Sequence, residues 1–312
     1  MRPIYDNDVI QVEITNACHL SCTHCTRHLG HHRNTYFMDV DTARKAILSL
    51  KGFPGVIGIM GGEPAMHPKF SQMLDLWEEL VPYEHRGFWT AGFKWGEHAD
   101  RIKAMFPKRH IHYNDHIAYD GKHTPLLVAI DDVVFDEEFK RQLIDNCGFQ
   151  EHWSASITPK GGFFCEIAAS LDWLMDGPGG YPIEPGWWKK TPADFKDQVD
   201  RYCGMCSGAI PMPAYTDARG GRDKPNKDVI SQSNLDRLIA RGSPKIARGD
   251  YILWTEEITR EKAAEWDTRN RRGFRTFEGH DPDDVLEAVK HHERAPSPED
   301  IANRFKPIRK SA

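Results

Sequence analysis

The 312-residue chain contains no run approaching the roughly 18 apolar residues that span a bilayer. Its opening, Met1 to Asp6, is polar and lacks the apolar centre of a signal peptide. It also lacks an excess of one charge. Forty-one Lys and Arg stand against 46 Asp and Glu, for a net −5, with both signs mixed along the chain. No basic field therefore argues for nucleic acid or an anionic membrane as partner. Internal repeats and low-complexity tracts are absent. The expectation is a globular, cytoplasmic protein, in a compartment where thiols stay reduced. Seven cysteines are present, an odd number at close spacings, which favours metal ligation over disulfides.

The first half alternates strand and helix patterns. Val9 to Ile14 is β-branched and alternating. Asp39 to Leu50 reads as a helix capped by Asp39 or Asp41. Gly55 to Met60 is a short apolar strand, and Phe70 to Leu80 a helix with Phe70, Met73, Leu74 and Trp77 on one face. Gly87 to Thr90, His110 to Tyr113 and Leu126 to Ile130 read as further strands, Glu97 to Phe106 and Asp136 to Asn146 as helices. Such alternation implies βα units and a parallel sheet. Beyond it, Trp153 to Ile157 and Phe163 to Cys165 flank a Gly-containing turn and read as a hairpin. Helices are expected at Glu166 to Met175, Asp194 to Tyr202, Asn234 to Arg241 and Glu256 to Asp267, with disorder from about Arg294.

Cys18, Cys22 and Cys25 are spaced C-x3-C-x2-C on a loop directly after the first strand. Three thiolates on one short loop suit three irons of a cubane and leave the fourth open. On spacing alone a zinc site stays open, with His19, His24 or His28 as fourth ligand, as do buried structural cysteines. Gly61-Gly62-Glu63-Pro64 follows an apolar strand. Taken alone it is an ordinary turn, or a place where backbone approaches a ligand and a carboxylate meets an ammonium group. The remaining cysteines, Cys147, Cys165, Cys203 and Cys206, suit a fully ligated [4Fe–4S] cluster or a zinc ion equally well by count.

The cysteine spacing after strand one, its lead-in Ile14 to Ala17, and Gly61 to Pro64 after strand two resemble the radical S-adenosylmethionine (SAM) superfamily. The resemblance implies that Cys18, Cys22 and Cys25 hold a [4Fe–4S] cluster. It implies that Gly61, Gly62, Glu63 and Pro64 bind the SAM amino group, and that the cluster reductively splits SAM to a 5′-deoxyadenosyl radical. His24 stands where the family commonly has Tyr or Phe, and would pack near the adenine. Thr90, in a turn ending strand three, and Asn114, after strand four, are candidate SAM contacts on the same resemblance. The second cysteine set resembles the twitch auxiliary-cluster domain, a short relative of SPASM, which implies two [4Fe–4S] clusters in all. An electron donor of flavodoxin or ferredoxin type would be a partner.

The expected architecture is a partial (β/α)6 barrel over residues 1–140, a hairpin-and-helix twitch domain over 141–213, and a mostly helical extension over 214–312. The expected activity is hydrogen-atom abstraction from a sugar-, aminocyclitol- or nucleotide-like substrate, ending in oxidation, epimerisation or rearrangement. His112, Tyr113, His116 and Asp131, at strand ends, are candidates for substrate contact or proton transfer. Each has a plainer reading, as a packed imidazole, a surface group or a helix-capping carboxylate. Tyr113 and Tyr119 are candidate hydrogen-atom donors if a radical is quenched. A radical SAM peptide maturase is the second reading, weakened because the barrel pattern begins within ten residues of Met1 and leaves no room for a leader-binding domain. A non-catalytic Fe–S or zinc protein is the third.

Overall fold

The computed structural model describes residues 1–113, 123–152, 154–213 and 227–266. Four strands come first: β1 (Val9–Thr15), β2 (Val56–Gly61), β3 (Arg86–Thr90) and β4 (Ile111–Tyr113). Between them run α1 (Val40–Ser49), α2 (Phe70–Leu80) and α3 (Trp95–Met105). After these come α4 (Ile130–Val133), α5 (Glu137–Asp145), α6 (Gly148–His152), β5 (Ser154–Thr158), β6 (Gly161–Phe163), α7 (Glu166–Met175) and α8 (Lys196–Tyr202). One sheet runs in the order β4-β3-β2-β1-β5-β6. Its first five members are parallel and β6 is antiparallel to β5.

The register explains how one strand pattern serves two environments. Ile10 and Val12 of β1 face Ile57 and Ile59 of β2, and Ile59 faces Phe88 of β3. This face packs against the amphipathic helices in the main core. α1 begins where the Asp39 carboxylate accepts the Thr42 N–H at 2.8 Å, and buries Ala43, Ala46 and Ile47. Trp77 of α2 donates its indole N–H to the Ile57 carbonyl at 3.0 Å, so helix and sheet share a polar pin inside the core.

The opposite face carries Gln11 and Glu13, in register with Gly58 and Met60. Gly58 pairs with Gly87, and a Cβ at either glycine would run into the Trp89 ring. Those two glycines therefore seat Trp89, which stacks on His112 with centroids 4.4 Å apart and planes at 16°. The polar half of the β1 alternation thus faces a filled interior, not solvent.

Three expectations need correcting. Residues 126–130 form no strand of the main sheet. Leu127 makes one parallel bridge to Ile230, and Ile130 begins α4. An apolar run of five residues satisfies strand and buried-helix periods equally, so pattern alone could not separate them. The expected hairpin exists, but β5 pairs with β1, so residues 154–163 extend the first sheet and the boundary expected at residue 140 falls between members of one sheet. Among the described residues the sheet has five parallel strands and an antiparallel edge, where six β/α units were expected.

Over its described part the extension sets a small sheet among its helices. Here β7 (Asp228–Ser231) and β8 (Tyr251–Trp254) form a second parallel sheet, with α9 (Gln232–Ala240), α10 (Pro244–Ala247) and α11 (Arg260–Glu265) around them. Asn114, His116, Tyr119 and the tail from Arg294 lie outside the described residues.

Candidate metal and cofactor site

Cys18, Cys22, Cys25, Gly61 to Pro64 and Thr90 lie at the C-terminal edge of β1, β2 and β3, where ligands meet parallel α/β sheets. The loop leaving β1 is a closed excursion. Asn16 donates its side-chain amide to the Asn34 carbonyl at 3.1 Å and accepts the Tyr36 N–H at 2.7 Å. Thr15 bridges to Phe37. Within the loop Cys18 is buried and Cys22 and Cys25 are half-buried. His24 and His28, flanking Cys25, hold left-handed backbone conformations, φ 53° and 51°, which side-chain-bearing residues adopt only where surroundings enforce them.

The end of β2 is laced onto this loop. Gly62 N–H donates to the Thr15 carbonyl and Glu63 N–H to the Ala17 carbonyl, both at 2.7 Å. Gly61 has φ 147°, and a Cβ on Gly61 or Gly62 would collide with those same carbonyl oxygens. The glycine pair therefore permits strand-to-loop contact, whatever else it does. Glu63 is fully buried. One carboxylate oxygen accepts the Thr90 hydroxyl at 2.8 Å and the other the Ala91 N–H at 2.7 Å. Burial pushes its carboxyl up to about 7, against the pull of those donors. The structure thus joins two expected cofactor residues, Glu63 and Thr90, but spends the carboxylate on ordering the turn after β3.

The three thiols form one electrostatic group. Burial pushes all of them up. Cys22 and Glu63 add to the effect at Cys18, as does Cys25 at Cys22. Such thiols stay protonated until a metal takes the proton's place, which is how soft metal sites behave. Among the described residues no three Cys, His, Asp or Glu side chains close on one point at single-ion distance. The fit to an iron–sulfur cluster rests on the donor chemistry: three neighbouring thiols on a buried loop, beside a rim of backbone at two strand ends.

The second set also comes together. Cys147 lies between α5 and α6, Cys165 precedes α7, and Cys203 and Cys206 follow α8. All four line one apolar pocket with Ile144, Phe149, Phe164 and Tyr202. Burial, then the Cys147 thiol, raises Cys165, Cys203 and Cys206, the last to about 12. An apolar, four-thiol pocket suits a fully ligated cluster or zinc by the same donor argument. A buried network holds the frame. Asp172 of α7 accepts the Tyr202 hydroxyl at 2.5 Å and the Gly179 N–H at 2.9 Å, and pairs with Lys160 of the hairpin turn.

Several expected residues sit elsewhere than their chemistry suggested. His24 has protein partners at both ring nitrogens. Its Nε2 accepts the Val229 N–H at 3.0 Å, which leaves the ring proton on Nδ1, donated to the His123 carbonyl at 3.2 Å. Asp131 is in the first turn of α4. It is exposed, paired with Lys140 at 3.0 Å, and beside Gly204 of the Cys203–Cys206 loop, so it belongs to the second set's surroundings. His112 lies flat against Trp89, and Tyr113 is buried in the core.

Sequence reasoning missed the charged centre of the interior face. Arg27, two residues past Cys25, is buried. It places Nη1 2.9 Å from Glu166 of α7 and Nε 3.4 Å from Glu13 of β1, and also donates to Gln11. Glu13 accepts the Ser156 hydroxyl at 2.6 Å. Burial opposes the Arg27 charge, and Glu166 and Glu13 more than restore it. The signal available was the polar half of the β1 alternation, Gln11 and Glu13, which needs a partner once that face is covered.

The family model of the radical SAM superfamily matches residues 12–114. That segment is similar to the radical SAM domain. The match runs from within β1 past the end of β4 and contains the first three cysteines and Gly61 to Pro64. The radical SAM family implies SAM and a [4Fe–4S] cluster as cofactors. No curated protein matches the chain. Among solved structures it is similar to BtrN in complex with AdoMet and 2-DOIA, at 16% identity and a TM-score of 0.42, covering 64% of this chain and 87% of that one. Selenomethionine BtrN in an open conformation is similar at 16% identity over the same shares, with a TM-score of 0.39. Among the described residues no helix is long and apolar enough to cross a membrane.

Proposed function

We propose that the chain is a two-cluster radical SAM enzyme, with Cys18, Cys22 and Cys25 holding the SAM-binding cluster and Cys147, Cys165, Cys203 and Cys206 an auxiliary one in a twitch-like arrangement. The observation that carries the reading is the matched segment itself. It brings three thiols and the ends of β2 and β3 to one edge of a parallel sheet. When bound there, the cluster and SAM supply a 5′-deoxyadenosyl radical that takes a hydrogen atom from an unactivated C–H bond.

The chain's own part is placement and exclusion of water. Backbone at Gly61 to Pro64, with the Thr90 turn fastened to it by Glu63, makes a rigid rim suited to the amino-acid end of SAM. Arg27, Glu13 and Glu166 form a buried polar floor with fixed charge. His112 and Tyr113, at the end of β4, remain the candidates for substrate contact among the described residues of that strand. Asp131, by its placement, is assigned to the surroundings of the second cluster. A polar substrate, sugar-, aminocyclitol- or nucleotide-like, fits a polar interior best, with oxidation, epimerisation or rearrangement as outcome. A flavodoxin or ferredoxin would supply the electron.

Anaerobic reconstitution tests this. About eight irons per chain, two four-iron clusters, with 5′-deoxyadenosine formed on reduction with SAM, is the expected result. Zinc at both sites with no SAM cleavage would overturn it. Deuterium transfer from labelled polar candidates into deoxyadenosine then identifies the substrate.

A further inference from the structure

The extension reaches the cluster loop through one buried polar knot. Asp228 opens β7. Ser243 caps α10, its hydroxyl accepting the Ile246 N–H at 3.3 Å, and Lys245 lies in that helix's first turn. One Asp228 oxygen accepts the backbone N–H of His24 at 2.5 Å. The other lies 2.7 Å from Lys245 Nζ and 2.8 Å from His31 Nε2. His31 Nδ1 is 2.8 Å from the Ser243 hydroxyl. Lys245 Nζ also donates to the carbonyl of Cys22 at 3.3 Å. The Lys245 and Asp228 side chains are 1% and 4% exposed. A Cβ on Gly30 would press on the Lys245 stem at 2.9 Å, so that glycine leaves the passage by which the ammonium reaches the loop.

A buried Lys–Asp pair is a poor device for stability alone. Its desolvation offsets most of its attraction, and apolar residues of similar volume do as well or better. This pair stands out by where it ends. The ammonium lies behind the peptide of one cluster cysteine, and its field acts on the sulfurs of Cys22 and Cys25. Inside a protein such a charge is weakly screened. The potential of an iron–sulfur centre follows net charge, hydrogen bonding and burial around its sulfurs.

We propose that Lys245 and Asp228 are positioning residues that set the reduction potential of the cluster held by the Cys18–Cys25 loop. Lys245 is the fixed positive charge that eases the entry of the electron. Asp228 balances it and holds His24, and so the loop, in place. The proposal rests on the function proposed above.

The experiment is an EPR-monitored redox titration of the SAM-sensitive cluster in the full reconstituted chain, with iron content measured in parallel. Lys245→Met leaves Asp228 unbalanced and shifts the midpoint to more negative potential. Asp228→Asn leaves the ammonium unbalanced and shifts it the other way. Lys245→Arg stays near wild type. Opposite shifts are the signature, because a purely structural role moves both variants together or neither. Unchanged midpoints, or shifts of the same sign, overturn the proposal. If Lys245→Met takes up no iron, Lys245→Gln and Lys245→Arg decide: iron in Arg but not Gln supports the charge, and loss in both overturns it. A wild-type chain without a SAM-sensitive cluster would instead defeat the underlying function.

Discussion

Glu63 and Thr90, on different strand ends, are joined by a buried hydrogen bond of 2.8 Å, and the same carboxylate takes the N–H of Ala91. The turn after β3 therefore has its shape dictated from β2. Thr90→Val removes the donor and leaves the Glu63 oxygen with one partner fewer. A loss of about 1–3 kcal/mol is expected for a buried group so stranded, together with weaker SAM binding. Denaturant unfolding and SAM titration of the reconstituted protein measure the two.

The raised Glu63 carboxyl also sets a pH dependence for the metal-free chain. Folded, it titrates at about 7, against an ordinary 4.5. Its contribution to stability is complete below 4.5 and is lost as pH rises through the window to about 7, because only the unfolded chain ionises there freely. Glu63→Gln should flatten that part of the stability curve. Equal slopes for variant and wild type between those two values would refute the assignment.

Arg27 joins β1, the cluster loop and α7. Arg27→Met leaves Glu13 and Glu166 as uncompensated buried carboxylates, at a cost of about 3–5 kcal/mol. Chemical denaturation measures this. A companion Arg27→Met/Glu166→Gln variant should recover part of the loss, as residues coupled in one network do.

Cys203→Ser tests the second set separately. Iron should fall from about eight to about four per chain, while the SAM-sensitive EPR signal persists. Loss of that signal along with the auxiliary iron would mean that the sites do not fold independently.

Tyr202→Phe probes the frame around that set. It strips Asp172 of one hydroxyl donor and is expected to cost about 1–3 kcal/mol, with auxiliary iron held less tightly against a chelator. Unaltered chelation kinetics would show that the network supports the fold without bearing on the metal.

The legible parts of this protein are those whose chemistry is contiguous. Cys18 to Cys25 and Gly61 to Pro64 each form a pattern within eight residues, and each follows a strand, as the βα alternation led one to expect. What escaped was set by partners far along the chain. Asp228 and Lys245 lie about two hundred positions from the loop they hold, and neither residue type marks its target. Gly58 and Gly87 read as ordinary strand glycines until Trp89 is seen to fill the space above them. Leu126 to Ile130 failed differently. A short apolar run carries no period, and neighbours in the extension drew it away from the main sheet.

The placement of β1 between β2 and β5 has one more consequence. The strand that launches the first cysteine loop is hydrogen-bonded to β5, whose hairpin partner β6 ends two residues before Cys165. The first cysteine loop and Cys165 thus both leave one ladder of backbone hydrogen bonds, while Cys147, Cys203 and Cys206 lie at the ends of α5, α6 and α8. If both sets hold clusters as proposed, the spacing between the first loop and Cys165 is set by the pairing of β1 with β5.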